Sequence, residues 1–365
     1  MCDSVFSAMS FTGRPVVLDN SSVVLELVQR TGESSIYSLN GSNALNRYLV
    51  VSDPGTRRLM ASPKVVGFDS YLAMLAPTVA ALQYLKGEGL DGDFDILTIL
   101  RGGLNYPLEE AAYRTGMTVK NMHFLSCERV IENKVVTGLD IKYEKLRVGR
   151  DVSIMIGDII ASGDTLRMCF QYLFDKFRRE GGSIRRIVFF TIGGTKAIDL
   201  MERFTEQIRA FWPEFEGFTG VFYEGIFTVY EDKGVTGVNV PNIDFGWKGG
   251  VIAPDFRRYV LATDGDALFE KCIIYDGGAR RYEIPVHFEE VREYWDDILG
   301  VADRTDMRAF LAEKIGYDFP ISHDDWCRTL HYGQGMEKDL YDLEQEYIAR
   351  TEDRNLAEIA LKKKE

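Results

Sequence analysis

The sequence predicts an α/β fold, a mostly parallel sheet with helices on both faces, and three observations carry that prediction. Short apolar runs rich in β-branched and aromatic residues recur at 94–100, 152–156 and 187–192. Helical patterns alternate with them, most clearly at 165–179, where Leu166, Cys169, Phe170, Leu173, Phe174 and Phe177 fall on one face. Two of the runs pass through glycines into a helix, at Gly102-Gly103 and at Gly163. Strands joined by amphipathic helices imply crossover connections, and crossovers imply parallel pairing.

Taken in order, the first 64 residues carry a strand-like run at 15–18, a helical pattern near 22–30 and a β-rich run at 48–52. A helix through 71–85 stops at Gly87 and Gly89, and the strand 94–100 follows it. After a helix at 108–115 come strands at 122–126 and 135–143, the buried strand 152–156, the helix 165–179 ended by Gly181-Gly182, and the strand 187–192. The aromatic text of 217–245, broken by Asp232-Lys233-Gly234 and Pro241-Asn242, reads as antiparallel β, and the tail from Glu289 reads as helical, closing in one charged helix over 336–364. Residues 1–68 then form an N-terminal segment that can contribute to a hood; 69–200 form the α/β core; 201–365 form a β-then-helical extension, whose helical tail from Glu289 either caps the core or makes a homodimer contact.

The chain carries 43 Lys and Arg against 56 Asp and Glu, a net charge of −13. That balance excludes a nonspecific nucleic-acid binder, which needs a basic surface to displace phosphate counterions. It does not exclude a single phosphorylated small molecule, which needs only a local cradle of N–H groups. No apolar run is long enough to span a bilayer, so no membrane partner is expected, and with no apolar signal core at the N-terminus a cytoplasmic address is expected. The five cysteines, Cys2, Cys127, Cys169, Cys272 and Cys327, are scattered and form no C-x-x-C pair, so neither a disulfide framework nor a cysteine zinc site is expected.

The most informative stretch is 154–166, where a buried strand, a loop of small and hydroxyl residues and an amphipathic helix succeed one another. Successive N–H groups from Ala161 through Ser162, Gly163 and Asp164 to Thr165 can point into one concavity at the helix start, with the Ser162 and Thr165 hydroxyls as further donors. Asp158, at the strand's carboxyl end, is placed to accept hydrogen bonds from ribose hydroxyls.

This text resembles the type I phosphoribosyltransferase family, whose signature is a hydrophobic strand, an acidic pair, two apolar residues, then a small residue, Thr or Ser, Gly, any residue and Thr. Asp158, Ser162, Gly163 and Thr165 match it; Gly157 stands where most members carry the first acid. A second segment, Ile99-Leu100-Arg101-Gly102-Gly103-Leu104, is similar to the family's pyrophosphate loop. The resemblance implies that Arg101, Gly102 and Gly103 hold the leaving pyrophosphate and that the Leu100–Arg101 peptide is cis. The polar stretch 127–149 stands where the family has a hairpin that closes over the site, with Lys134, Lys142 and Lys145 as cations for the pyrophosphate, among which the sequence does not choose. The resemblance covers 94–192 only.

What it implies is binding of 5-phosphoribosyl 1-diphosphate with Mg²⁺ and transfer of the phosphoribosyl group to a nitrogenous acceptor, with Asp158 and Arg101 as the catalytic residues. Catalysis would be positioning and charge stabilisation, so no nucleophile is needed. Mg²⁺ would be held by substrate oxygens and water, with Asp158 contributing indirectly. Ala161 and Gly193-Gly194 stand where the 6-oxopurine enzymes place an acid and a base-binding lysine, which argues against hypoxanthine or guanine. The alternative, to which Gly157 points, is a noncatalytic nucleotide or diphosphate sensor. Phe222, Tyr223, Phe227, Tyr230, Phe245 and Trp247 are read mainly as core, although they are placed to hood a base. His323, Cys327 and His331 recur every four residues but read as packing, and Asp264-Gly265-Asp266 and Asp276-Gly277-Gly278 read as turns.

Overall fold

The computed structural model describes residues 23–40, 45–100, 107–132, 135–160, 163–229, 245–263, 267–270, 277–333 and 337–364. The described residues, outside which the strand-like run at 15–18 lies, open with an antiparallel meander of β1 (Val24–Thr31), β2 (Ser34–Asn40) and β3 (Arg47–Ser52). The first of these occupies most of the 22–30 stretch whose spacing predicts a helix. Gly32, at φ +60°, makes a two-residue turn between Thr31 and Ser34, and pairing with β2 overrides the weak local helical pattern.

Two helices follow, α1 (Pro54–Ala61) and α2 (Phe68–Gly87). Then come β4 (Asp93–Leu100), α3 (Leu108–Arg114), β5 (Thr118–Glu132), β6 (Val135–Lys145), β7 (Val152–Ile160), α4 (Asp164–Arg179), β8 (Ile184–Gly194), α5 (Thr195–Phe211), β9 (Phe218–Val229) and β10 (Phe245–Ile252). The expected alternation of strand and helix is observed. The remaining helices are α6 (Pro254–Thr263), α7 (Gly277–Tyr282), α8 (Ile284–Val301), α9 (Met307–Ile315), α10 (His323–Thr329), α11 (Lys338–Thr351) and α12 (Leu356–Lys364).

The ten strands among the described residues make one sheet in the order β1-β2-β3-β9-β8-β7-β4-β5-β6, with β10 on β9. Six of them, from β3 through β9, β8, β7 and β4 to β5, are parallel, so the protein is α/β. The sheet takes β3 from before residue 69 and β9 from after residue 200. The β9 text, read from sequence as antiparallel, is parallel to both β8 and β3 and antiparallel only to β10. It is buried along nearly its whole length, as a strand in mid-sheet must be.

All six α4 residues expected on one face are buried, and Phe170 of that face lies against Phe174 (5.5 Å between ring centroids), Phe204 of α5 (5.4 Å) and Phe189 of β8 (6.1 Å). The aromatic segment of the extension is likewise core. Phe222, Tyr223 and Phe227 are inaccessible to water, and Phe245 packs 5.7 Å from Phe227, as does Trp247 from Phe256. Tyr230 lies outside the described residues. The single helix expected over 336–364 is two, α11 and α12, because the Asn355 side chain accepts from Ala357 N at 2.8 Å and starts a new helix. A buried ion pair joins α6 to α11: Arg257 Nη1 donates to Glu344 Oε1 at 3.0 Å, while Tyr317 and Trp326 donate to Glu344 Oε2, each at 2.7 Å. No helix among the described residues is long and apolar enough to cross a membrane.

Candidate functional site

The strand order itself places the site. The chain leaves β4 towards β5 on one side and leaves β7 towards β8 and β9 on the other, so neighbouring strands β4 and β7 send their connections in opposite directions. Such a reversal opens a crevice at the carboxyl ends of the two strands, where open α/β sheets bind ligands. β4 ends at Leu100 and β7 at Ile160, and each of the two glycine-containing motifs follows one of those residues in the sequence. Residues Arg101, Gly102, Gly103, Ala161 and Ser162, and with them the Leu100–Arg101 peptide, lie outside the described residues.

Gly163 is the residue before α4 and has φ +78°, ψ −2°. That left-handed conformation is what demands glycine, because the space is open: a Cβ would meet Ile160 Cγ2 and Leu200 Cδ2 at an ordinary 3.6 Å. A glycine cap brings no side-chain acceptor to the start of this sixteen-residue helix. Asp164 and Thr165, both half-buried, form that first turn.

Asp158 stands opposite Thr191 in the β7–β8 register. Its Oδ1 accepts from the N–H of Ile159 at 2.8 Å, and no cation among the described residues pairs with it. Burial pushes its carboxyl up to about 7, and the single backbone hydrogen bond opposes that only in part. Gly157 instead lines a cavity of about 500 Å³ with Ile96, Leu97 and Thr98 of β4, Met122 and Phe124 of β5, and residues at the start of α3. Tyr71 and Tyr113 also border it. Tyr71 donates to Glu110 at 2.8 Å, and Arg114 pairs with the same carboxylate. No motif marked these residues; the adjacency of β4 and α3 in the chain is the only signal that could have done so.

The β5–β6 hairpin is the element read as closing over the site. Lys142 is spent on it, pairing with Asp140 at 2.5 Å and Glu128 at 3.4 Å, and the Asp140 hydrogen bond holds its ammonium above the usual range. Lys145 stands 5.9 Å over the Phe124 ring, and Lys134 lies outside the described residues. At the root of the hairpin, buried His123 meets Asp95 Oδ2 at 2.8 Å and accepts from Arg147 N through Nδ1 at 3.1 Å.

The glycines at the end of β8 have a packing reason. A Cβ on Gly194 would come within 2.9 Å of Phe227 O, and one on Gly193 within 3.0 Å of Thr191 Oγ1. Of the three residues spaced by four in the tail, His323 and Cys327 meet, Nε2 to Sγ at 3.6 Å, and His323 stacks on Trp326, whereas His331 lies past the end of α10 at φ +62° and bonds Val23 O through Nδ1 at 3.1 Å. Among the described residues no group of three or more His, Cys, Asp or Glu could hold a metal ion. Residues 264–266 and Asp276 lie outside them.

No protein-family model and no curated protein matches the sequence. Among solved structures, the chain is similar to a hypoxanthine phosphoribosyltransferase from Staphylococcus aureus, at 14% identity and a TM-score of 0.26 over 33% of this chain; it spans 62% of the length of that enzyme. It is similar to the AQ2163 protein from Aquifex aeolicus (12% identity, TM-score 0.34, 48% of this chain and 84% of that one) and to the hypoxanthine-guanine phosphoribosyl transferase of L. donovani (15%, 0.29, 35% and 73%). These neighbours are mostly phosphoribosyltransferases, and the likeness is low in TM-score and confined to part of the chain.

Proposed function

We propose that the protein binds 5-phosphoribosyl 1-diphosphate at the β4–β7 crevice and transfers its phosphoribosyl group to a nitrogenous acceptor, releasing pyrophosphate. The observation that supports this reading best is that the two strands the motifs follow in the sequence, β4 and β7, are neighbours at one topological reversal. In this reading the first-turn N–H groups of α4 and the Thr165 hydroxyl hold the 5′-phosphate, and the Asp158 carboxylate accepts from the ribose hydroxyls. Arg101, Gly102 and Gly103 receive the pyrophosphate.

A magnesium ion fits this donor set. Asp158 is a single carboxylate without a cationic partner among the described residues, and a Mg²⁺ carried on a diphosphate needs only one or two protein carboxylates beside substrate oxygens and water. When bound, the ion would neutralise charge building on the diphosphate.

Gly157 favours a second reading, a noncatalytic sensor of the diphosphate or of a nucleotide: where the family carries an acid, this chain has cavity wall. Incubation with 5-phosphoribosyl 1-diphosphate, Mg²⁺ and a panel of nucleobases and small amines separates the two. Pyrophosphate release with one acceptor establishes transfer; tight binding without release across the panel establishes the sensor; absence of binding refutes both.

A further inference from the structure

Cys127 of β5 and Cys169 of α4 are 42 residues apart in sequence, yet their sulfurs stand 3.2 Å from each other, and neither is in a disulfide. Cys169 lies one turn beyond Thr165 in the helix that starts at the phosphate loop, and Cys127 lies at a register shift in the hairpin strand, opposite Ile141 of β6. A disulfide bond is about 2.05 Å long, so about 1.1 Å of approach would close it, a distance that small χ changes at two side chains can supply.

We propose that Cys127 and Cys169 form a redox site, in which oxidation by a peroxide joins them in a disulfide that ties the β5–β6 hairpin to the helix of the phosphate loop. Cys127, at 7% exposure against 0% for Cys169, is the sulfur that meets the oxidant. Its thiolate attacks one peroxide oxygen, the O–O bond breaks, and the departing hydroxide takes up the proton that the Cys127 thiol had released, so that a sulfenic acid and one water result. The Cys169 sulfur then attacks the Cys127 sulfur; the S–O bond breaks and the hydroxyl leaves as a second water with the Cys169 proton. Two sulfurs have each lost one electron, and hydrogen peroxide has become two waters. The partner thiol and burial hold the Cys169 thiol well above its ordinary range, which keeps it protonated until the sulfenic acid forms beside it.

The bond would join two elements that differ in attachment. Near the hairpin's base Glu144 already accepts from Lys176 of α4 at 2.8 Å, whereas further out the backbone of Cys127 and Glu128 is paired with β6. A covalent tie at Cys127 therefore extends the anchored part of the hairpin, and under the proposed function it would restrain closure over the crevice; that last consequence rests on the phosphoribosyl reading, and the disulfide itself does not.

The full-length protein treated with hydrogen peroxide should fall from five titratable thiols to three after unfolding, lose the mass of two hydrogens, and yield a peptide joining Cys127 to Cys169 that dithiothreitol separates. C127S and C169A should each form no such bond, so that failure of one variant to fold still leaves the other. Amide exchange across 128–142 should slow in the oxidised protein and recover on reduction. Survival of all five thiols, or a bridge mapped to Cys2, Cys272 or Cys327, would overturn the site; unchanged exchange in a protein shown to be bridged would overturn the tying of the hairpin. None of these readouts needs phosphoribosyl binding, so failure of the proposed function would show separately as absence of binding to the reduced protein.

Discussion

Asp158→Asn tests the site at its centre. With the carboxyl pushed up to about 7 by burial, about one tenth of the native protein carries an ionised Asp158 at pH 6 and about nine tenths at pH 8. Ribose hydroxyls donate, and the ionised carboxylate is the better acceptor, so affinity for 5-phosphoribosyl 1-diphosphate should rise about tenfold over that interval from this group alone. The substrate's own phosphate titration is common to both proteins and cancels when wild type is compared with Asp158→Asn. Stability moves the opposite way: because the folded value lies above the ordinary 3.8, Asp158 favours folding below about pH 4 and loses that contribution as pH rises to about 7. The loss is at most about 4 kcal/mol at about 1.4 kcal/mol per pH unit, and less as water screens a carboxyl that is only partly covered. Calorimetric titration at pH 6, 7 and 8, with thermal unfolding at the same pH values, reads both effects. Wild type and Asp158→Asn with parallel affinity profiles would refute the assignment of Asp158 to the ribose.

Gly163→Ala meets no clash at φ +78°, so it should cost about 1–2 kcal/mol through the left-handed backbone alone, measured by urea unfolding; no loss would mean that the turn relaxes. Glu224, inaccessible to water at φ +64°, accepts from Ser52 Oγ at 2.6 Å and Asp53 N at 2.9 Å, and burial lifts its carboxyl from 4.5 to about 8. Stability should therefore fall between about pH 5 and 8 by up to about 5 kcal/mol relative to Glu224→Gln, and equal pH slopes for the two proteins would contradict this. Glu344→Gln strips the buried Arg257 of its counter-charge and should cost about 3–5 kcal/mol in the same unfolding assay, with a loss under about 1 kcal/mol showing that the pair is not what joins α6 to α11.

Local pattern carried the reading of the core because each element there obeys its own period. The α4 face from Leu166 to Phe177 is legible at helical spacing, and Phe94 to Leu100 is legible as a buried strand, since burial on one face or two leaves its mark in consecutive residues. The failures share a cause. Whether 24–31 is strand or helix, and whether 218–229 is parallel or antiparallel, depends on which distant strand lies alongside, and that partner leaves no trace in the local text. The site divides the same way. Gly163 and Asp158 were legible as a loop motif, whereas the cavity wall at Gly157 and Tyr71 required two helices and three strands to be assembled first.

The sequence by itself determined the α/β class and the pair of glycine-containing loops, because backbone conformation at a turn and apolar periodicity are properties of neighbouring residues. Only the tertiary structure decided that β4 and β7, the strands those motifs follow, are neighbours, that the sheet runs on through β9 to β3, and that Cys127 meets Cys169. Contacts between residues far apart in the chain follow from strand order, and strand order is set by how the whole sheet buries its faces rather than by any segment alone.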